Sequence, residues 1–219
     1  MNKTIWMCWF QGEDDPEMPK LNRECINRWV KFNPGYDVNI LSDSNIIGYV
    51  PEFYDIIAES PKSRSHAAKS DLLRLLLLSK FGGVWADASL YPMLPLSQFY
   101  DKVVNQTGFF TYRFTPRQNR GMGNRETVSW FLCSERPRHY LIEQWKESFI
   151  KTFKHTSGAW KYFALHNDLC DLYDNNTRIK NIINNMVQIN QSIPHSALGN
   201  WKCRKDSYVY KRPNLDFNK

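Results

Sequence analysis

Cysteine pairs at metal-binding spacing, long apolar runs and a leader-like opening are all missing from this sequence. The five cysteines, Cys8, Cys25, Cys133, Cys170 and Cys203, are odd in number and widely separated, with no CxxC pair. That argues against a disulfide framework or a zinc site and fits a reducing compartment. No stretch approaches the roughly 20 apolar residues that span a bilayer. The opening MNKTIWMCWFQGEDD has too short an apolar run for a secretory signal and no small-residue cleavage site. The expectation is a soluble, cytoplasmic protein, at most peripheral at a membrane.

Acidic residues are in deficit too, 22 against 29 Lys and Arg, so the formal net charge is +7. An anionic ligand, an anionic membrane surface or nucleic acid would all suit that balance. With 219 residues and 42% hydrophobic content, the chain has material for one core and predicts a single domain. Aromatic residues make up 15%, including eight Trp, and sugar-handling sites often use flat aromatic faces beside a few polar groups.

The organising stretch is Ser65 to Leu90, SHAAKSDLLRLLLLSKFGGVWADASL. From Ala67 to Lys80 nothing breaks a helix, and Leu72, Leu73 and Leu75 to Leu78 exceed a one-sided stripe, which predicts burial on most faces. Asp71 and Arg74, three apart, share one helical face and must be partnered or face a polar cavity. Gly82 and Gly83 end the helix. Val84 to Ala86 follow as a short strand, with Asp87 and Ser89 at its tip and, in an extended chain, on one side. The carboxyl ends of strands are where open α/β sheets bind ligands. Oxygen side chains there suit a hard cation such as Mn2+ or Mg2+ that shares a diphosphate.

Around this stretch the chain alternates elements. Thr4 to Phe10 reads as a first strand, Leu21 to Phe32 as a helix stopped by Asn33-Pro34-Gly35, and Tyr36 to Leu41 as a second strand. Asn45 to Glu59 is helical or irregular around Pro51. Leu90 to Leu96 leaves the sheet as an extended connection, and Gly108 to Phe114 is a further strand. Arg113 to Arg125 carries four arginines and reads as a basic loop for a diphosphate or an anionic acceptor. Glu126 to Cys133 is strand-like, and Arg138 to Phe153, Trp160 to Asp174 and Asn175 to Ile189 are helix candidates. Residues 1–202 form the expected domain, and 203–219 read as a tail or linker.

The run AAKSDLLRLLLLSKFGGVWADAS closely resembles the A-A-x-S-D-x-x-R … G-G-x-[YW]-x-D-x-D signature of GT-A glycosyltransferases. Similar families are the capsular polysaccharide synthesis family, the yeast mannosyltransferase-like family with a DXD region, and the large clostridial glucosylating toxins. The resemblance implies a Rossmann-like nucleotide-diphospho-sugar transferase fold, a mixed sheet flanked by helices. It implies that Ser70, Asp71 and Arg74 hold the donor sugar and that Asp87 binds metal and diphosphate. The third DXD position is Ser89, a neutral hydroxyl, which leaves the metal less negative charge. The opening strand resembles the family's K-x-I-W-x-x-W, which makes Trp9 a stacking partner for the nucleotide and Trp6 a core residue. YFALH resembles Y-F-x-x-H and makes His166 and Asp168 acceptor-side candidates, Asp168 as a catalytic carboxylate. HSALGNW resembles the closing H-x-x-x-G-[SN]-W, which offers His195 to the metal and Lys202 to a phosphate.

The expected activity is metal-assisted transfer of a hexosyl or deoxyhexosyl group from a UDP- or GDP-sugar to a glycan, lipid-linked glycan or glycoprotein, with retention suggested by the resemblance. An inverting enzyme would need a base, for which Glu126, Asp168 and Asp171 are candidates. A nucleotide-sugar hydrolase, a binding module without turnover and a basic nucleic-acid binder are the alternatives. The last is poorly matched, because the basic loop has only Tyr112 and Phe114 as stacking residues.

Overall fold

The computed structural model describes residues 3–113, 127–157, 160–189 and 208–211. Five strands make a mixed sheet: β1 (Thr4–Cys8), β2 (Asp37–Leu41), β3 (Gly83–Ala86), β5 (Phe109–Arg113) and β6 (Thr127–Ser134), in the order β2-β1-β3-β6-β5. A short strand β4 (Leu90–Pro92) lies outside it. β1 runs parallel to β2 and β3, whereas β6 is antiparallel to β3 and β5. Helices α1 (Lys20–Phe32), α2 (Ile46–Tyr49), α3 (Glu52–Ala58), α4 (His66–Phe81), α5 (Tyr100–Val104), α6 (Tyr140–His155), α7 (Ala164–Asn175) and α8 (Thr177–Asn185) flank the sheet. The expected α/β architecture is observed.

Both faces of the sheet are covered, and the two-residue period of the strands divides the core. Trp6, Trp85 and Leu132 point to the side built from α4, α6, α7 and α8. Ile5, Met7, Val84, Ala86, Phe131 and Cys133 point to the side built from α1 and α5. Strands enclosed on both faces read as unbroken apolar runs, as β1 and β3 do. Trp6 is a core residue, its Nε1 donating to the Gly82 carbonyl at 2.9 Å.

α4 is the central helix of the first layer, with every residue from Leu72 to Ser79 buried. Ser65 caps it, its Oγ accepting from the Ala68 amide at 3.3 Å. Gly82 ends it at φ +68°, its amide donating to the Leu78 carbonyl at 2.9 Å.

Three differences from the sequence reading have identifiable causes. Leu90–Pro92 does not run as a plain connection but pairs antiparallel with β7 (Val209–Lys211), inside the stretch expected to be a tail. Burial of Leu90 and Val209 against the second core drives this, and Trp29 and Arg28 donate to the carbonyls of Leu90 and Pro92 at 2.9 and 2.8 Å. A pairing about 120 residues apart in sequence leaves no local signal. The helix expected from Trp160 starts only at Ala164, because Trp160 packs across Phe149 and Phe153 instead. α8 is shorter than expected, beginning after Asn176, whose side chain accepts from the amides of Arg178 and Ile179 at 3.1 Å. Among the described residues no helix is long and apolar enough to cross a membrane.

Gly83 allows β3 to start directly after α4. Its φ is +90°, and a Cβ there would lie 2.5 Å from the Thr4 carbonyl oxygen on the neighbouring strand. Gly83→Ala is therefore expected to cost roughly 3 kcal/mol and to lower Tm by about 10 °C. Gly35→Ala, with φ +87° but open space around it, should cost only about 1 kcal/mol. Equal losses in thermal denaturation would refute the backbone clash.

Candidate active site

The parallel arrangement of β1, β2 and β3 brings their carboxyl ends to one edge of the sheet, with β1 between strands on both sides. A crevice at such a switch point is the ligand position that this sheet class favours. α4 runs back from this edge, so its first turns stand beside the end of β3, and antiparallel β6 begins there.

Arg74 gathers these elements. Its side chain is buried, yet every face of the guanidinium has a partner. Nη1 donates to the Ser129 carbonyl of β6 at 2.6 Å, and Nε to the Ser70 carbonyl at 3.2 Å. Nη2 lies 3.2 Å from both Ser70 Oγ and Asp71 Oδ1, and 3.4 Å from Asp87 Oδ1. The cation also lies 5.0 Å from the Trp85 ring centroid, and Trp85 Nε1 donates to Asp87 Oδ1 at 2.9 Å. Ser70, Asp71, Arg74 and Asp87 are thus brought together, as the sequence reading expected of the first three and the strand tip.

One cation serves two carboxylates here. Burial raises the Asp71 carboxyl to about 7, opposed by Arg74 and reinforced by the negative charge of Asp87. Asp87 is the more open of the pair, with its side chain 26% exposed against 13% for Asp71. Asp87 and Ser89 do not lie in an extended strand. The Leu90 amide donates to the Asp87 carbonyl at 2.8 Å, closing a turn, so the two-residue period does not apply to them. Ser89 is buried within that turn. No group of three or more His, Cys, Asp and Glu side chains placed to hold a metal occurs among the described residues. The donor set of Asp87, Asp71 and Ser89 is all oxygen with surplus negative charge, which fits a hard cation whose shell a ligand completes.

Other residues at this edge left weaker signals in the sequence. Cys8 ends β1, and its thiol is pushed well up by burial and by Asp43, with Arg74 opposing and Asp87 adding. Tyr54 donates to the carbonyl and to Oδ1 of Asp43 at 2.9 and 3.2 Å, and burial together with Asp43 pushes its phenol up to about 12. Trp85 was legible only as a strand residue, and the role of the Ser129 carbonyl has no side-chain signal at all. Trp9 is half-buried, its Nε1 donating to Asp15 Oδ2 at 2.8 Å, which fixes the indole over the loop after β1. His195, Lys202, Glu126 and the basic loop beyond Arg113 lie outside the described residues.

His166 and Asp168 point in different directions from α7. His166 lines a small cavity with Thr127, at the start of β6, and with Leu169, Cys170, Tyr173 and Ile183. Asp168 is buried toward α6, where Thr152 Oγ1 donates to its Oδ1 at 2.9 Å. Burial raises its carboxyl to about 6, with Thr152 opposing and Asp171 reinforcing. A carboxyl whose pKa is raised on folding contributes most to stability below its unfolded value, and the contribution is lost as pH climbs through about 6. Asp168→Asn keeps an acceptor for Thr152 and stays neutral. It is expected to melt higher than the parent at pH 7.5 and alike at pH 4, and matching melting curves at pH 7.5 would reject this reading.

The chain is similar to known proteins in sequence and in fold. The initiation-specific alpha-1,6-mannosyltransferase of Saccharomyces cerevisiae is 28% identical over 102 residues, 44% of this chain and 21% of that protein. Its Candida albicans counterpart is 26% identical over 101 residues, 44% of this chain and 26% of that protein. The aligned region is therefore about a quarter of these relatives or less. The solved structure of PaToxG glycosyltransferase superposes with a TM-score of 0.51 at 16% identity, covering 82% of this chain and 73% of that one, which shows a shared fold. The match to Capsular polysaccharide synthesis protein runs over residues 1–211, and the chain belongs to that family.

Proposed function

We propose that this protein is a GT-A glycosyltransferase that moves a hexose from a nucleoside diphosphate sugar to a glycan, with the diphosphate seated at the end of β3. The observation that carries this reading is the junction of Asp71, Arg74 and Asp87 at the carboxyl edge of the sheet. Mannose is the first sugar to test, since the curated relatives are named mannosyltransferases. UDP- and GDP-sugars both remain in the proposal, and the acceptor is a glycan, lipid-linked glycan or glycoprotein. Reaction in the cytoplasm, with the protein peripheral at a membrane, completes the reading.

In the transfer, the bond between the anomeric carbon and the diphosphate oxygen breaks, and the electron pair leaves with the nucleoside diphosphate. The acceptor hydroxyl oxygen forms the new bond and gives up its proton. Arg74 keeps a fixed positive charge beside the site where the leaving group becomes more negative, which is the form of stabilisation that a preorganised group supplies. Asp71 accepts hydrogen bonds from donor sugar hydroxyls when ionised. Asp87, with Ser89, would hold Mn2+ or Mg2+, which supplies Lewis-acid neutralisation of the diphosphate when bound. Ser70 and the Ser129 carbonyl hold Arg74 in register. His166 stands on the acceptor side, and the bond from Thr152 to Asp168 seats the helix that carries it. Retention of configuration follows the family resemblance.

A thermal-shift panel of UDP-, GDP- and dTDP-sugars, with and without Mn2+, tests the donor. A donor at about 100 times its Kd adds about 2.7 kcal/mol, or roughly 5–10 °C in a chain of this size. Asp87→Asn should remove the Mn2+-dependent part of the shift, and Arg74→Lys, which keeps the charge but loses the planar fork, should remove most of the shift. No shift with any donor in the parent protein, or undiminished Mn2+-dependent turnover in Asp87→Asn, would reject the proposal.

A further inference from the structure

Tyr162 is 74% exposed, the most open large side chain of the described apolar and aromatic set. A solitary exposed aromatic is ordinary on a protein surface. Tyr162 differs because of what holds it. Its ring meets Phe163 edge to face at 4.7 Å, and Phe163 meets His166 in the same manner at 5.7 Å. His166 in turn shares a cavity with Thr127, two residues along β6 from the carbonyl that receives Arg74. A ladder of rings therefore runs from solvent to the strand that braces the candidate donor site.

The same segment is fastened from the other side. Arg64 Cζ lies over Trp160, 4.4 Å from the ring centroid, and Arg64 immediately precedes the cap of α4. Between these two attachments the Ala164 amide donates to the Lys161 carbonyl at 3.0 Å, and just beyond them the Asn167 amide donates to the Phe163 carbonyl at 3.0 Å. The turn that displays Tyr162 is thus hydrogen-bonded, and it is tied through Trp160 to Arg64 at the approach to α4 and through His166 to the cavity at the start of β6. Lys161 is exposed beside it.

An exposed aromatic ring seated edge to face on Phe163 just before α7, with a hydroxyl at its tip, matches the apolar face of a pyranose and its rim of hydroxyls. We infer that Tyr162 is a stacking platform for a non-reacting sugar unit of an oligosaccharide acceptor, held by the Phe163–His166 ladder. This rests on the glycosyltransferase reading for its role but not for its binding chemistry. Tyr162 then acts on acceptor affinity and leaves donor binding alone. Oligosaccharides gain from the platform, whereas single sugars cannot reach it from the reacting position.

Calorimetric titration of mannotriose, maltotriose and chitotriose, and of the matching monosaccharides, into the nucleoside-diphosphate-saturated protein tests this. At least one trisaccharide should bind more tightly than its monosaccharide. Tyr162→Ala should weaken that trisaccharide about five- to tenfold, and Tyr162→Phe should stay within about twofold. Donor-induced thermal shifts should be the same in both variants. Equal trisaccharide affinity in parent and Tyr162→Ala, or no trisaccharide binding, would overturn the inference. So would a Tyr162→Ala defect confined to sedimentation with phosphatidylcholine–phosphatidylglycerol vesicles, which would make the ring a membrane contact. Tyr162-dependent trisaccharide binding in a protein that no nucleotide sugar stabilises would uphold the platform and reject the donor assignment. Donor stabilisation with Tyr162-independent trisaccharide binding would do the reverse.

Discussion

A buried guanidinium is the constraint from which much of this structure follows. Removing an arginine from water costs several kcal/mol unless its donors find partners, and Arg74 meets the requirement with groups from three separate places. Its own helix gives Ser70 and Asp71, β6 gives the Ser129 carbonyl, and the turn after β3 gives Asp87. This matters because α4 is apolar nearly all round, and hydrophobic burial is not directional. Leucines on every face would bury comparable area at several rotations of the helix. The Arg74 contacts are satisfied at one rotation and one depth, so a polar cluster sets the register that the leucines leave open.

The same cluster explains the chemical character of the edge. With one guanidinium between two carboxylates, the local sum is one negative charge in a partly desolvated place. Burial holds the Asp71 carboxyl near 7, with Arg74 opposing and the charge of Asp87 adding to the upward push. Added positive charge would relieve that push by letting both acids ionise. A site of this kind is more hospitable to added positive charge than to a bare anion. Burial pushes the Cys8 thiol well up, with Asp43 and more weakly Asp87 adding and Arg74 opposing, so the neighbouring strand end stays uncharged.

How much of this could be read beforehand depends on how local each feature is. The helix from Ala67 onward, its glycine stop and the strand after it are written in consecutive residues, and they were legible almost to the residue. The i, i+3 spacing of Asp71 and Arg74 announced a pair needing a partner, but not that a main-chain carbonyl of Ser129 would supply the shortest bond. Backbone groups carry no sequence label. Trp85 likewise read only as a strand residue, and only the fold shows that its indole edge reaches Asp87 while its face meets Arg74. The pairing of β4 with β7 and the late start of α7 failed for the opposite reason. Each depends on contacts between distant segments, and neither the prolines of the first nor the helical period of the second reports them.

Arg64 extends the logic from the Arg74 cluster to the rest of the edge. It is buried, and it spends its Nη2 donors on the carbonyls of Phe153 and Thr156 at 3.1 and 2.7 Å, where the last turn of α6 leaves acceptors without helical partners. Its flat face covers Trp160. Because Arg64 adjoins the cap of α4, the end of α6, the approach to α7 and the start of α4 share one anchor. The desolvation that lowers its pKa is offset by the negative end of a helix dipole, so the cation is retained. Two buried arginines, ten residues apart, therefore do complementary work. Arg74 fixes the helix against the sheet, and Arg64 fixes the neighbouring helices against the approach to that helix.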